Sequence, residues 1–252
     1  MLEINQIYNM DCLEGLKQLP DNSVDLIVTS PPYNKQSKQQ NNFKQVSWSK
    51  GRIKYDVYDD NVPQEEYEEW QKEVLRECIR VLKEDGSIFY NHKQTIRNHK
   101  AIYPHRWLEE FNIRQMIIWN RKNSPVLEPI RFLPTTEYIF WITKKADTPY
   151  FNPKALSLSE VWTINPKKSN HPAPFPEQLV RNCIFACGEK GKLLLDPFAG
   201  SGTALMVAKQ NGMNYIGFEL SNNYCQIARK RIRQESLLSL VDKKDGGDFC
   251  GD

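Results

Sequence analysis

Apolar residues along the chain fall into two periods that alternate from one end to the other. Alternating or continuous apolar runs bounded by turn-forming residues predict strands at "INQIYNM" (4–10), "VDLIVTS" (24–30), "SIFYN" (87–91), "RQMIIWN" (114–120) and "EYIFWIT" (137–143). Between them lie helical spacings. "DCLEGLKQL" (11–19) is a short amphipathic turn. In 63–86, Tyr67, Trp70, Val74, Leu75, Cys78, Ile79 and Leu82 recur at helical intervals behind Pro63 and an acidic first turn, with Gly86 as the stop. "YPHRWLEEF" (103–111) and "PEQLVRNCIFACGEKG" (176–191) predict two further helices, and 192–232 reads as strand, glycine turn, helix, strand, helix. Strands alternating with helices imply an α/β fold: a doubly wound, mostly parallel sheet covered on both faces. Residues 241–252 hold too few apolar groups to pack and are expected to form a flexible tail.

Composition narrows this picture. With 252 residues, 40% of them hydrophobic, the chain suits one domain over 1–240, with small insertions at about 35–58 and 121–170. The N-terminus lacks the layout of a signal peptide, and no apolar run approaches the ~20 residues that a bilayer crossing needs. The six cysteines form no CxxC pair, so a soluble protein in a reducing, cytoplasmic setting is expected. Cys183 and Cys187 share a helical spacing, but His171 is the one histidine near them, and small core residues are a better reading than a metal site.

The net charge of +3 conceals sectors. Residues 35–54 carry six basic side chains and no acid, interleaved with Phe43 and Trp48. Lys35, Lys38, Lys44, Trp48, Lys50, Arg52 and Lys54 are therefore candidate nucleic-acid contacts; a disordered polar loop is the alternative, and the two agree if the loop orders on binding. Residues 92–106 are likewise free of acids, whereas 59–73 hold seven, expected on a solvated helix face.

Two short stretches carry chemistry. In "LLLDPFAGSGT" (193–203) a strand runs into Gly200, Ser201 and Gly202 and then a helix, which lets backbone amides approach a ligand closely. The GK[ST] ending of a phosphate loop is missing. Glu219 ends the next strand, 17 residues beyond Gly202, near the distance at which such folds bind ribose hydroxyls. A nucleoside-containing cofactor fits, and a purely structural turn is the alternative. This half of a doubly wound sheet normally comes first, yet here it comes last. If the N-terminal strand lies outside "YIGFE", Asp11 and Cys12 reach the same ligand edge as the second stretch, "IVTSPPYN" (27–34).

The set "IYNMDCLEGLKQLPDNSVDLIVTSPPYN", "VLKEDGSIFYN", "HPAPFPEQLVRNCI", "LLLDPFAGSGT" and "YIGFELSNNYCQIARKRI", in this order, resembles the S-adenosylmethionine-dependent DNA amino-methyltransferases. The resemblance covers roughly residues 4–232 and has the circularly permuted beta-group arrangement, in which the catalytic motif precedes the cofactor motif. It implies a Rossmann-like class I methyltransferase fold in a bacterial, archaeal or phage-encoded enzyme, in a restriction-modification system or standing alone.

The resemblance assigns the Ser30 side chain and the Pro31 carbonyl as acceptors for the two hydrogens of a base amine. Pro31 and Pro32 stiffen the corner, and Tyr33 offers a stacking face for a flipped base. For S-adenosyl-L-methionine it implies Glu219 and Leu220, Asp196, Phe198, the turn Gly200, Ser201, Gly202 and Thr203, Asp11 and Cys12 near the adenine, Ser30, and Phe175 of "HPAPFPEQL". His171 in that segment either contacts the cofactor or caps the segment. Duplex DNA with a short recognition site is the implied partner, read by a compact insertion or shared across a homodimer. Serine before PPY is associated with cytosine N4, whereas "PPYN" and "FYNHK" look closer to adenine N6 enzymes. A non-catalytic DNA-binding relative fits poorly with an intact motif, and RNA or protein-amide methylation usually has asparagine where Ser30 stands. No cysteine follows a proline, which sets aside cytosine ring-carbon methylation.

Overall fold

The computed structural model describes residues 2–34, 62–97, 100–124, 131–145, 149–166 and 175–244. The strands are β1 (Gln6–Tyr8), β2 (Val24–Thr29), β3 (Leu82–His92), β4 (Thr95–Arg97), β5 (Lys100–Ile102), β6 (Ile113–Asn120), β7 (Thr136–Thr143), β8 (Val161–Thr163), β9 (Leu193–Asp196) and β10 (Asn214–Phe218). The helices are α1 (Cys12–Lys17), α2 (Gln64–Val81), α3 (His105–Leu108), α4 (Glu177–Cys187), α5 (Thr203–Gln210) and α6 (Asn222–Lys244). Eight strands form one sheet in the order β1-β10-β9-β2-β3-β7-β6-β8. Within this sheet β7 pairs antiparallel with both neighbours and every other pairing is parallel, so only β7 runs backwards.

Alternation along the strands sorts the core into two layers. In β2, Leu26 and Val28 face a cluster with Leu179, Val180 and Cys183 of α4, the buried stretch of α5, and Ala228 and Ile232 of α6. Ile27 faces the other way, toward Leu16 of α1, Val74, Leu75 and Cys78 of α2, and Trp107 and Leu108 of α3. Leu26, Ile27 and Val28 are wholly buried, each worth about 1.5–3 kcal/mol of transfer free energy. The sheet is thus covered on both faces, as a doubly wound fold requires. β1 pairs with β10 through Gln6↔Ile216, Ile7↔Gly217 and Tyr8↔Phe218, which is the permuted closure expected from the motif order.

Several boundaries differ from the sequence reading. α2 stops at Val81, not at Gly86, because Leu82 turns extended (ψ 137°) and pairs with Val24. Residues 83–86 are then accommodated by a register shift, and Gly86 lies so close that a Cβ there would sit 2.7 Å from a Leu82 methyl and 3.0 Å from the Asp25 carbonyl. Within 121–170, β7 runs inside the sheet and β8 extends it. α6 continues to Lys244, past the boundary at 241 expected from sequence. The acidic face of α2 is not wholly solvated either. Glu68 is buried, accepting from Gln64 Nε2 at 2.8 Å and paired with Arg106 at 3.2 Å. The β4–β5 hairpin, β8 and the short 3-10 turn Pro153–Ser157 are too brief to leave a period in sequence. No helix among the described residues is long and apolar enough to cross a membrane.

Candidate active site

The ends of β2, β3, β9 and β10 and the start of antiparallel β7 share one edge of the sheet. Two of these ends are tied directly: Thr29 donates through Oγ1 to Asp196 Oδ1 at 2.7 Å. The SPPY corner (30–33) and the glycine turn (200–203), at least 167 residues apart in sequence, are thereby held side by side.

Beyond Thr29 the corner is pinned from three sides. Tyr67 of α2 donates its hydroxyl to the Pro32 carbonyl at 2.7 Å and lies 2.8 Å from His92 Nε2. The Pro31 carbonyl accepts no hydrogen bond among the described residues. Tyr33 is buried, with its hydroxyl 2.9 Å from Ser30 Oγ and donating to Glu137 Oε2 at 3.0 Å, and its ring 4.6 Å from that of His92. Asn34 takes a positive φ of 51° and clamps Val62 in both directions, donating to its carbonyl at 3.0 Å and accepting from its amide at 3.1 Å. Asparagine suits this position because it tolerates the left-handed region. The clamp joins the two residues that flank 35–61, the stretch that contains the basic segment. That segment, with Lys35, Lys38, Lys44, Trp48, Lys50, Arg52 and Lys54, lies outside the described residues, as does His171.

The glycine turn has its own supports. Gly200 (φ 50°) and Gly202 (φ 77°) adopt the left-handed region that glycine enters at little cost. The Gly200 amide donates to Glu219 Oε2 at 2.8 Å, while Ser221 N–H donates to the other carboxylate oxygen at 2.8 Å. Arg231 of α6 reaches across to donate to the Ser201 carbonyl at 2.7 Å, Ser201 Oγ at 2.8 Å and Thr203 Oγ1 at 3.2 Å. Phe198 packs edge-on against Trp70 of α2, with centroids 5.6 Å apart. Asp11 caps α1 by accepting from the Leu13 and Glu14 amides at 2.8 and 3.4 Å, and Cys12 is buried just inside that helix. Leu220 is exposed beside Glu219 and Phe175 packs on the α4 side of the core.

Burial sets the electrostatics. It pushes the Asp196 carboxyl up to about 7, against the lowering effect of bonds from Thr29 and the Phe198 amide and with a small further rise from Glu219. Burial also raises Glu219, opposed by the Ser221, Gly200 and Leu220 amides. The thiols of Cys12, Cys78, Cys183, Cys187 and Cys225 are all pushed up by burial, Cys187 to about 12 and Cys225 to about 11. None of these is a thiolate nucleophile at neutral pH.

Of the sequence-derived residues, Ser30, Pro31, Pro32, Tyr33, Asp196, Phe198, the turn 200–203, Glu219, Leu220, Asp11 and Cys12 all fall on this edge or at the helix starts beside it. Asn91, Glu137, Arg121 and Arg231 belong to the same neighbourhood and carry no local motif. A polar residue at the end of a buried strand, as in "SIFYN" and "TEYIFWIT", is the signal that marks the first two.

Comparison with known proteins agrees with this geometry. The family model described as DNA methylase, of the N6/N4 methyltransferase type, matches residues 24–230. The Type II methyltransferase M.HinfI of Haemophilus influenzae is 32% identical over 92% of this chain and 69% of its own length. The DNA adenine methyltransferase YhdJ of Escherichia coli (strain K12) is 28% identical over 97% of this chain and 90% of its own. Among solved structures, the PvuII DNA methyltransferase (cytosine-N4-specific) superposes with a TM-score of 0.71 at 20% identity, covering 94% of this chain and 95% of that one, and so shares the fold. A permuted class I sheet whose SPPY corner is bonded to a glycine-turn strand places the chain in the DNA methylase family, the S-adenosylmethionine-dependent amino-methyltransferases of N6-adenine and N4-cytosine.

Proposed function

We propose that the chain methylates adenine N6 in duplex DNA at a short recognition site, with Ser30, Pro31, Pro32 and Tyr33 forming the catalytic corner. The observation that carries the reading is the state of the two neighbouring carbonyls: Pro32 is held by Tyr67, whereas Pro31 is left as an acceptor. A base amine is a poor nucleophile because its lone pair is conjugated into the ring. Two fixed acceptors for its hydrogens favour a pyramidal nitrogen, and rigid placement supplies most of the rate gain. Consecutive prolines restrict the corner's backbone, and Tyr67 anchors it from α2.

The residues present fit S-adenosylmethionine. Glu219, at the end of β10, offers carboxylate acceptors suited to a ribose diol, and exposed Leu220 offers an apolar surface beside it. Asp196 is a buried acid suited to an ammonium, while Phe198 and the turn Gly200–Thr203 line the approach. Asp11 and Cys12 stand at the outer end, and Phe175 and His171 in the segment before α4. When bound, the cofactor supplies an electrophilic methyl sulfonium; the chain's part is to hold it in line with the amine and exclude water.

Similarity over nearly the whole chain to an adenine methyltransferase supports adenine as the target. The serine of "SPPY" favours a second reading, cytosine N4. Digestion of the methylated DNA to nucleosides and mass spectrometry separates the two: N6-methyladenosine supports the proposal, and N4-methylcytosine alone overturns its choice of base. Ser30→Ala and Tyr33→Ala are each expected to lower transfer of labelled methyl at least about 100-fold. DNA recognition is assigned to the segment 35–58 and to the β6–β7 connection. The latter leaves the catalytic edge after Asn120 and exposes Phe132 almost completely.

A further inference from the structure

We infer that Glu137 sets the hydrogen-bond polarity of the catalytic corner through Tyr33, so that Ser30 turns a lone pair rather than its proton toward the target amine. The inference rests on the reading above, in which Ser30 accepts from that amine. A serine hydroxyl donates or accepts with equal ease. Something in the protein must therefore decide which it does.

The decision is readable in the distances. Tyr33 has one hydroxyl proton and donates it to Glu137 Oε2 at 3.0 Å. An ionised carboxylate accepts only, so that proton has a fixed direction and the Tyr33 oxygen is left as an acceptor. Ser30 Oγ lies 2.9 Å from that oxygen and gives its proton to it. The chain runs Ser30 to Tyr33 to Glu137, and of the two Ser30 lone pairs one meets Asn91 Nδ2 at 3.3 Å and the other remains for a ligand. Asn91 reinforces the direction with Nδ2, which lies 2.5 Å from the Tyr33 hydroxyl, 3.1 Å from Glu137 Oε2 and 3.3 Å from Ser30 Oγ. Its carbonyl cannot take that place, because it would face the carboxylate.

Glu137 is 5% exposed, and taking a carboxylate out of water is costly unless a partner charge offsets it. Arg121 supplies the pair, donating from Nη1 to Oε1 at 2.7 Å. An ion pair serving the fold alone would account for that oxygen, but not for the other one aimed at the Tyr33–Ser30 chain. The reversed direction of β7 is what makes the arrangement possible. Asn91 pairs with Ile139 and His92 with Tyr138, so the start of β7 lies beside the end of β3 at the ligand edge.

Glu137 is thus a positioning residue, and single-turnover transfer of labelled methyl from S-adenosylmethionine to long unmethylated duplex DNA tests it. Tyr33→Phe keeps the ring and removes the link. Glu137→Gln can turn an amide N–H toward Tyr33 and reverse the chain. Each is expected to slow the single-turnover rate about 10- to 100-fold, with the cofactor dissociation constant unchanged by calorimetry and the melting temperature retained by Tyr33→Phe. The double variant should be no slower than the slower single one, since groups in series are not additive. A wild-type rate in Tyr33→Phe, or losses that multiply in the double variant, overturns the inference. Ser30→Ala serves as the reference. If it is inactive while Tyr33→Phe works at full rate, the inference falls and the reading of the corner stands; if it transfers normally, both fall.

Discussion

Asp196 joins the two halves of the site, accepting from Thr29 of β2 and from the Phe198 amide that opens the glycine turn. Its carboxyl is raised by burial to about 7, so between about pH 4 and 7 the folded protein holds a proton that the unfolded chain has released. That contribution to stability is complete below the unfolded value near 4 and is lost as the pH rises through 7. Asp196→Asn is expected to flatten this decline, so that the variant gains on the wild type between pH 5 and pH 8 in urea midpoints. Glu219 is shifted in the same direction, so a shallower slope should persist. A slope unchanged by the substitution would show that the raised carboxyl lies elsewhere.

At the scale of elements, close packing of β10 against α5 decides how near the glycine turn can lie to the sheet. A Cβ on Gly217 would come within 2.5 Å of a Leu205 methyl and 3.0 Å of the Ala199 Cβ, both buried. Overpacking of a close-packed core costs about 1–3 kcal/mol. Gly217→Ala should lower the unfolding free energy by that amount, measured by urea denaturation, and weaken cofactor binding as the turn shifts. Serine, with its extra oxygen, should be no better tolerated. Arg231 bears on the same turn from α6, with three donor contacts to Ser201 and Thr203. α6 thus stiffens from mid-helix a loop whose glycines provide little stiffness of their own.

The molecule as a whole separates its charges by sector, with six basic residues and no acid in 35–54 and seven acids in 59–73. Phosphate contacts release counterions, and each removes about 0.9 from the slope of log binding constant against log salt. Replacing Lys35, Lys38, Lys44, Lys50, Arg52 and Lys54 with glutamine should therefore lower DNA affinity and make that slope shallower by several units, read by fluorescence anisotropy across a salt series. Cofactor affinity should not move. An unchanged slope would remove this segment from the DNA interface.

Much of this protein is determined by local pattern. The alternation of strand and helix periods needs no distant partner, which is why the α/β class, the core strands β2, β3, β6, β7, β9 and β10, and the helices α2, α4 and α5 are legible from residues alone. The SPPY corner and the glycine turn are legible for the same reason: proline and glycine fix backbone geometry where they stand. Tertiary structure decided the rest. α2 yields its last turn because Leu82 gains a partner in Val24, and no propensity in 82–86 announces that pairing. Asn91, Glu137 and Arg121 read as ordinary strand and loop residues until antiparallel β7 brings Glu137 beside the end of β3. Their meaning depends on distances across the sheet, and a linear pattern carries no information about which buried polar group will face which.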